Sequence, residues 1–292
     1  MLLPESATGA DIESARKLLI DRGSLDGSLG ASYFTAWLGR TDIVEFKSVD
    51  LSNATNVQSA WQSCTSMTTF PALNLSSSTT LSYSWYGCSG LSNFGAIQAP
   101  VCTNFTNAWL GTSALTSFPA GAKLGTEATN VNFSSAWNSS GLTSFPADID
   151  LSKGTNFYAA WLGCTSLTSF PLIDTSASLS FNGSWYNCSN LTSFPANFFD
   201  TWNPSSIGSG LFDLAWANTS LTAQSVENIL TSIDASGKYA TTNGASGGTA
   251  LGDAGIDIDY NVATGSLSAA TNSAVTSLKA KGWSIIVNNV TL

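Results

Sequence analysis

Apolar residues return along this chain in a fixed frame. Tryptophans stand at 37, 61, 85, 109, 137, 161, 185 and 216, at intervals of 24, 24, 24, 28, 24, 24 and 31 residues. Four residues before each lies Tyr33, Val57, Leu81, Phe105, Phe133, Phe157, Phe181 or Phe212. Six residues after comes Ile43, Met67, Leu91, Leu115, Leu167 or Leu191, while Leu142 and Leu221 stand one residue nearer. Phe46, Phe70, Phe94, Phe118, Phe145, Phe170 and Phe194 follow, and then Val49, Leu73, Ile97, Ile149 and Ile173. The positions between are mostly Ser, Thr, Asn and Gly. A period of 24 suits one coil of a stacked repeat, whose apolar side only the next coil can cover. Stacking then turns the tryptophans into a column. A buried Trp removes about 150–250 Å² from water, roughly 4–6 kcal/mol gross per coil at about 25 cal/mol per Å². The tryptophans are therefore expected to be scaffold rather than an exposed platform.

The ends of the chain depart from this frame. Residues 11–22, DIESARKLLIDR, put Ile12, Ala15, Leu18 and Leu19 on one face of a short helix that would cap the stack or attach it to a partner. Beyond Leu221, Thr222 is placed to cap a helix running through Ile233, with Val226, Ile229, Leu230 and Ile233 on one side. A Gly-rich loop, the alternating strand IDIDYN, a second helix over about 267–281 ending before Gly282, and a last strand WSIIV follow. The expected division is a cap or attachment segment at 1–30, the repeats at 31–222, and a helix-strand-helix-strand cap at 223–292.

The frame A-W-x-x-C-x-x-L-x-x-F-P, as in AAWLGCTSLTSFP (159–171) and SAWQSCTSMTTFP (59–71), resembles the BspA-type leucine-rich repeats, with Trp where that family usually has Phe and Phe where it has Ile or Leu. The resemblance spans about residues 31–222. It implies an α/β leucine-rich-repeat solenoid of about eight coils with one short parallel strand per coil. It also implies a scaffold for adhesion and surface display. A second resemblance, carried by LTAQSVENIL and LKAKGW, is to C-terminal segments of tail-fibre and other virion proteins of marine tailed phages.

Composition narrows the chemistry. There is no histidine, so Ser-His-Asp triads, Cys-His pairs and imidazole metal sites are excluded. Ten Lys and Arg against nineteen Asp and Glu give a net charge of −9, which disfavours nucleic acid and anionic membranes. The opening MLLPESATGADIESARK lacks the basic and apolar regions of a signal peptide, and no apolar run is long enough to span a bilayer. Release by lysis rather than general secretion is the expectation.

Particular residues carry competing readings. Cys64/Cys88 and Cys164/Cys188 are each 24 apart, on adjacent coils, as buried thiols, as disulfides or, least of all, as metal ligands; Cys102 lies outside the frame and is expected in the core. Asn56, Asn104, Asn132 and Asn156 are expected to bond the turning backbone of the next coil. Asn74, Asn104 and Asn187 begin glycosylation sequons that composition alone explains. Asp148 and Asp150, flanking Ile149, are the nearest carboxylate pair for glycoside hydrolysis but read as the solvated face of a strand. Asp253, Asp257 and Asp259 have the wrong spacing for an EF-hand, and the Gly-rich loop lacks the Lys of a phosphate-binding loop. Trp202 is the aromatic expected to be exposed, and Lys123 and Glu127 mark a second expected bulge.

No catalytic, cofactor or metal residue is therefore expected. The leading expectation is a non-enzymatic virion protein of a tail fibre, tail tip or capsid fibre, bound to other virion proteins in multiple copies and to a host glycan or receptor. A bacterial surface adhesin with the same repeats, and a glycan-degrading tailspike, are the alternatives.

Overall fold

The computed structural model describes residues 32–204, 211–240, 255–258, 268–288 and 290–292. The helix expected over 11–22, the Gly-rich loop, Asp253, Asp259 and the side chain of Asp257 lie outside what it describes.

From residue 32 onward, coils lie on one another in parallel register. One line of bridges joins Ser32 to Asn56, Asn56 to Thr80, Thr80 to Asn104 and Asn104 to Asn132. A second passes from Glu45 to Thr69, then from β1 (Thr69–Phe70) to β2 (Asn93–Phe94), and later through Ser144, Ser169 and Ser193. A third links Asn74 to Gln98 and β3 (Gln98–Ala99) to β4 (Lys123–Leu124). β5 (Val131–Asn132) pairs with β6 (Gly154–Asn156). None of these strands exceeds three residues, so regular sheet contributes little of the lateral bonding.

The segment around each Trp supplies the rest by alternation. In the third coil the N–H groups of Leu81, Tyr83, Trp85 and Gly87 donate forward to Asn104, Thr106, Ala108 and Leu110 at 2.7–2.9 Å. The intervening N–H groups of Ser84, Tyr86 and Cys88 turn back to Leu81, Tyr83 and Trp85 at 3.1–3.2 Å. Every second peptide thus serves the neighbouring coil and every other one its own turn, so these buried N–H groups are paired without a regular sheet. Such alternation requires left-handed residues. Two residues before the tryptophans stand Thr35, Ser59, Tyr83, Asn107, Ser135, Ala159 and Leu214, all with φ of 52° to 59°. Each costs about 1–2 kcal/mol in side-chain sterics, which the bonds to both neighbours hold in place.

Inside, the aromatic residues form columns. Successive indoles from Trp37 to Trp216 stack with ring centroids 5.2–5.5 Å apart and planes within 4–7° of parallel. The spacing holds across the intervals of 28 and 31, so those extra residues are absorbed elsewhere on the coil. The phenylalanines nine residues on, or eight in the case of Phe145, build a second column, and each meets the indoles edge to face, as Phe70 does with Trp61 at 4.8 Å and Trp85 at 5.0 Å. Seven indole N–H groups, those of Trp61, Trp85, Trp109, Trp137, Trp161, Trp185 and Trp216, are buried with no hydrogen-bond acceptor. An orphaned donor costs about 1–3 kcal/mol, less than the roughly 4–6 kcal/mol gross from burying each indole, and the column is favourable despite it.

After the coils, β7 (Phe212–Trp216) carries the last tryptophan, and β8 (Gly255–Ile258) and β9 (Ser284–Val287) add to it in parallel, with β10 (Val290–Thr291) antiparallel at the edge. Helix α1 (Ala223–Ala235), capped by Thr222 on the Ser225 N–H, and α2 (Ala269–Ala280), capped by Ser268 on the Thr271 N–H, are the connections and pack on each other. Val226, Ile229, Leu230 and Ile233 are buried at the spacing the sequence predicts. α1 takes the place of another coil. Its own peptides are committed to the helix, so side chains complete the stack: Ser225 Oγ accepts from Phe194 N–H (3.0 Å) and donates to Thr192 O, and Asn228 Nδ2 donates to Phe194 O.

Trp202 corrects an expectation. It is buried, and its Nε1 donates to Ser178 O at 2.9 Å. The extra residues of the 31-residue interval fold inward because the phenylalanine column needs an end. Phe198 and Phe199 pack edge-on against Phe170 and Phe181, and Trp202 lies against Phe212.

Candidate interaction surface

The alternating backbone decides which side chains meet solvent. Residues one before, at and three after the Trp are buried in the central coils, whereas in coils one to seven those one and two after reach solvent, as do those three and two before except Ser59, Ser82, Ala159 and Gly183, which are buried; these four positions form the outer side of the segment. In coils one to seven that outer side carries no charged residue: FT and LG, QS and QS, SY and YG, TN and LG, SS and NS, YA and LG, NG and YN. Four tyrosines stand on it. Tyr83 is 36% and Tyr158 50% exposed, with Tyr86 and Tyr186 half-buried; the Tyr83 and Tyr86 rings lie 5.7 Å apart.

The hydroxyl-rich strip elsewhere on the coils is occupied with the fold. Thr68 Oγ1 donates to Val44 O, Ser92 to Thr68 O, Thr143 to Thr116 O, Thr168 to Thr143 O and Thr192 to Thr168 O, all at 3.1–3.3 Å. Abundant Ser and Thr therefore does not mean an abundance of free hydroxyls.

Residues singled out by sequence serve the backbone as well. Asn56, Asn104, Asn132 and Asn156 accept through Oδ1 from the N–H two residues on in their own coil at 2.9–3.0 Å, rather than from the next coil as expected. Short Asn side chains reach their own turn more easily than a neighbour's. Asp148 accepts from Gly121 N–H and Asp150 from Ser152 N–H; both are exposed, and Asp148 sits in a turn rather than a strand. Lys123 and Glu127 are exposed, but their segment is tied in: Lys123 belongs to β4, and Glu127 N–H donates to Pro100 O.

All five cysteines are free, buried thiols. Cys64, Cys88, Cys164 and Cys188 each donate to the carbonyl of the tryptophan one coil earlier, Trp37, Trp61, Trp137 and Trp161, at 3.0–3.1 Å. Burial pushes the Cys164 thiol up to about 11 and the Cys102 thiol up to about 12, which keeps both protonated and poor nucleophiles. Among the described residues no group of three or more Cys, Asp or Glu is arranged to hold a metal ion, and no helix is long and apolar enough to cross a membrane.

Comparison with protein-family models, with curated proteins and with solved structures yields no match for this chain.

Proposed function

We propose that the chain is a leucine-rich-repeat-type solenoid acting without catalysis as an adhesive structural component of a phage virion, in a tail fibre, tail tip or capsid fibre. The observation that carries this reading is the uncharged outer side presented again on each of coils one to seven over a stacked aromatic core. A surface repeated at fixed spacing adds weak contacts to one long ligand, or to many copies of a short one, without new contacts being invented. The carboxylates nearest to a catalytic pair hold backbone N–H groups, and the thiols hold tryptophan carbonyls, which leaves binding and assembly as the roles the surface fits. Other virion proteins and a host glycan or receptor are the partners in this reading.

Mass spectrometry and immunogold labelling of purified particles from the source test it. Gold at the tail or capsid surface is the expected result. Absence of the protein from particles that contain their other structural proteins overturns it.

A further inference from the structure

The outer side of the tryptophan segment is uneven along the stack. Tyr83 and Tyr86 rise from the third coil, Tyr158 from the sixth and Tyr186 from the seventh, while Asn107 and Asn138 lie on the fourth and fifth between them. From the third coil to the sixth the indole column beneath takes three steps of 5.4 Å each. That step is close to the advance per sugar in an extended β-1,4-linked pyranose chain.

We propose that this strip binds an uncharged, extended β-1,4-linked glycan lying along the stack, with the tyrosine rings at its two ends and the amides between them. The proposal deepens the adhesive reading and rests on it. Three features point to this occupant. In a chain of net charge −9 the strip has no Lys, Arg, Asp or Glu, so neither an anionic nor a cationic polymer finds a counter-charge there, whereas a neutral one loses no ionic hydration. Aromatic rings offer a flat apolar face with a polar tip, the pairing that sugar rings with their C–H faces and hydroxyl rims require. The matched repeat also lets each sugar meet the same backbone environment, so contacts add along the chain rather than drift out of step. A protein partner is the less fitting occupant from the third coil to the sixth, where Leu110 and Leu162 stand singly and half-buried and the exposed Phe34 and Leu38 lie away on the first coil, so the large apolar anchors of a protein interface are not clustered there.

The test is isothermal titration of the full chain with cellohexaose and with chitohexaose. Saturable binding of at least one is expected, with Tyr83→Ala/Tyr86→Ala and Tyr158→Ala/Tyr186→Ala each weakening it about tenfold or more. Thr68→Ala/Thr168→Ala, on the strip whose hydroxyls are already bonded, should leave it unchanged. Thermal melting of each variant confirms that the coils persist; should either Ala pair unfold, the Tyr→Phe and Tyr→Ser pairs at the same positions replace it. No binding of either hexasaccharide at millimolar concentration overturns the proposal, as does binding that survives removal of all four tyrosines. Particles that display the protein and still attach to host cells when all four tyrosines are replaced overturn this glycan strip while leaving the adhesive reading standing; absence from particles removes that reading without touching a measured hexasaccharide affinity.

Discussion

The coils and the C-terminal helices solve the same problem with opposite means. Between residues 32 and 204 the backbone itself bonds coil to coil, at the cost of a left-handed residue in every repeat and an orphaned indole N–H in most. From Thr222 onward the helices satisfy their own peptides, and side chains such as Ser225, Asn228 and Ser232 make the joints; Ser232 Oγ accepts from Phe199 N–H and donates to Asp200. The coils tolerate almost any residue that packs, but not a change in the backbone. The end tolerates backbone adjustment but depends on a few polar side chains. Stacking by backbone extends indefinitely, so it needs a terminator of a different kind, and α1 is that terminator.

The sharpest way to break the comparison is at the column. Trp161→Ala should cost about 3–5 kcal/mol in denaturant unfolding, and hydrogen exchange should show the loss spreading to coils on both sides. Trp161→Phe should cost less than half as much, because it also removes an orphaned N–H worth about 1–3 kcal/mol. Equal losses for the two would mean that the indole N–H has a partner after all.

Glycines separate the two regions next. A Cβ on Gly141 would lie 2.2 Å from Ser113 O in the coil below, whereas one on Gly237, just past α1 at φ 71°, meets nothing within 4 Å. Gly141→Ala is expected to cost about 1–3 kcal/mol by forcing two coils apart, and Gly237→Ala only the roughly 1–2 kcal/mol of a left-handed residue. Chemical denaturation of both variants gives the ranking. Ser225→Ala should then cost about 1–3 kcal/mol by orphaning the Phe194 N–H, and Ser225→Thr should recover part of it.

The smallest effect is electrostatic. The Ser268 backbone N–H held by Glu227 at 2.8 Å keeps that carboxyl below its usual value. A carboxyl depressed in the folded state stabilises it fully above the ordinary carboxylate pKa, and that contribution disappears as pH falls through the lower folded value. Melting of the C-terminal region should therefore soften below about pH 4, and less so in Glu227→Gln. The group is exposed, so the difference between the two profiles is small.

What the sequence discloses depends on whether a residue's role is local. Thr222 is legible as a helix cap and Val226, Ile229, Leu230 and Ile233 as one buried face, because a helix sets both rules within a few residues. Two after each Trp, Gly39, Gly87, Gly111, Gly163, Asn187 and Asn218 are of types that take the left-handed backbone readily, although Ser63 and Ser139 at the same place are not. The residues two before each Trp are Thr, Ser, Tyr, Asn, Ser, Ala, Gly and Leu, which give no such signal; the conformation is imposed by neighbouring coils. The tyrosine strip was hidden for the same reason, since which side chains face outward follows from that alternation. Trp202 was misread as exposed because nothing near it in sequence shows that the phenylalanine column ends there and has to be covered.

The indole column also has an optical consequence. Near-parallel indole rings 5.2–5.5 Å apart couple strongly, so light absorbed by one ring is shared along the row before it is emitted. The near-ultraviolet dichroism of the intact protein should carry a strong tryptophan signal that disappears on unfolding, and its emission should be blue because the rings are buried. A single oxidised ring would drain the fluorescence of its neighbours, so the brightness of the chain reports the continuity of the stack rather than the number of tryptophans in it.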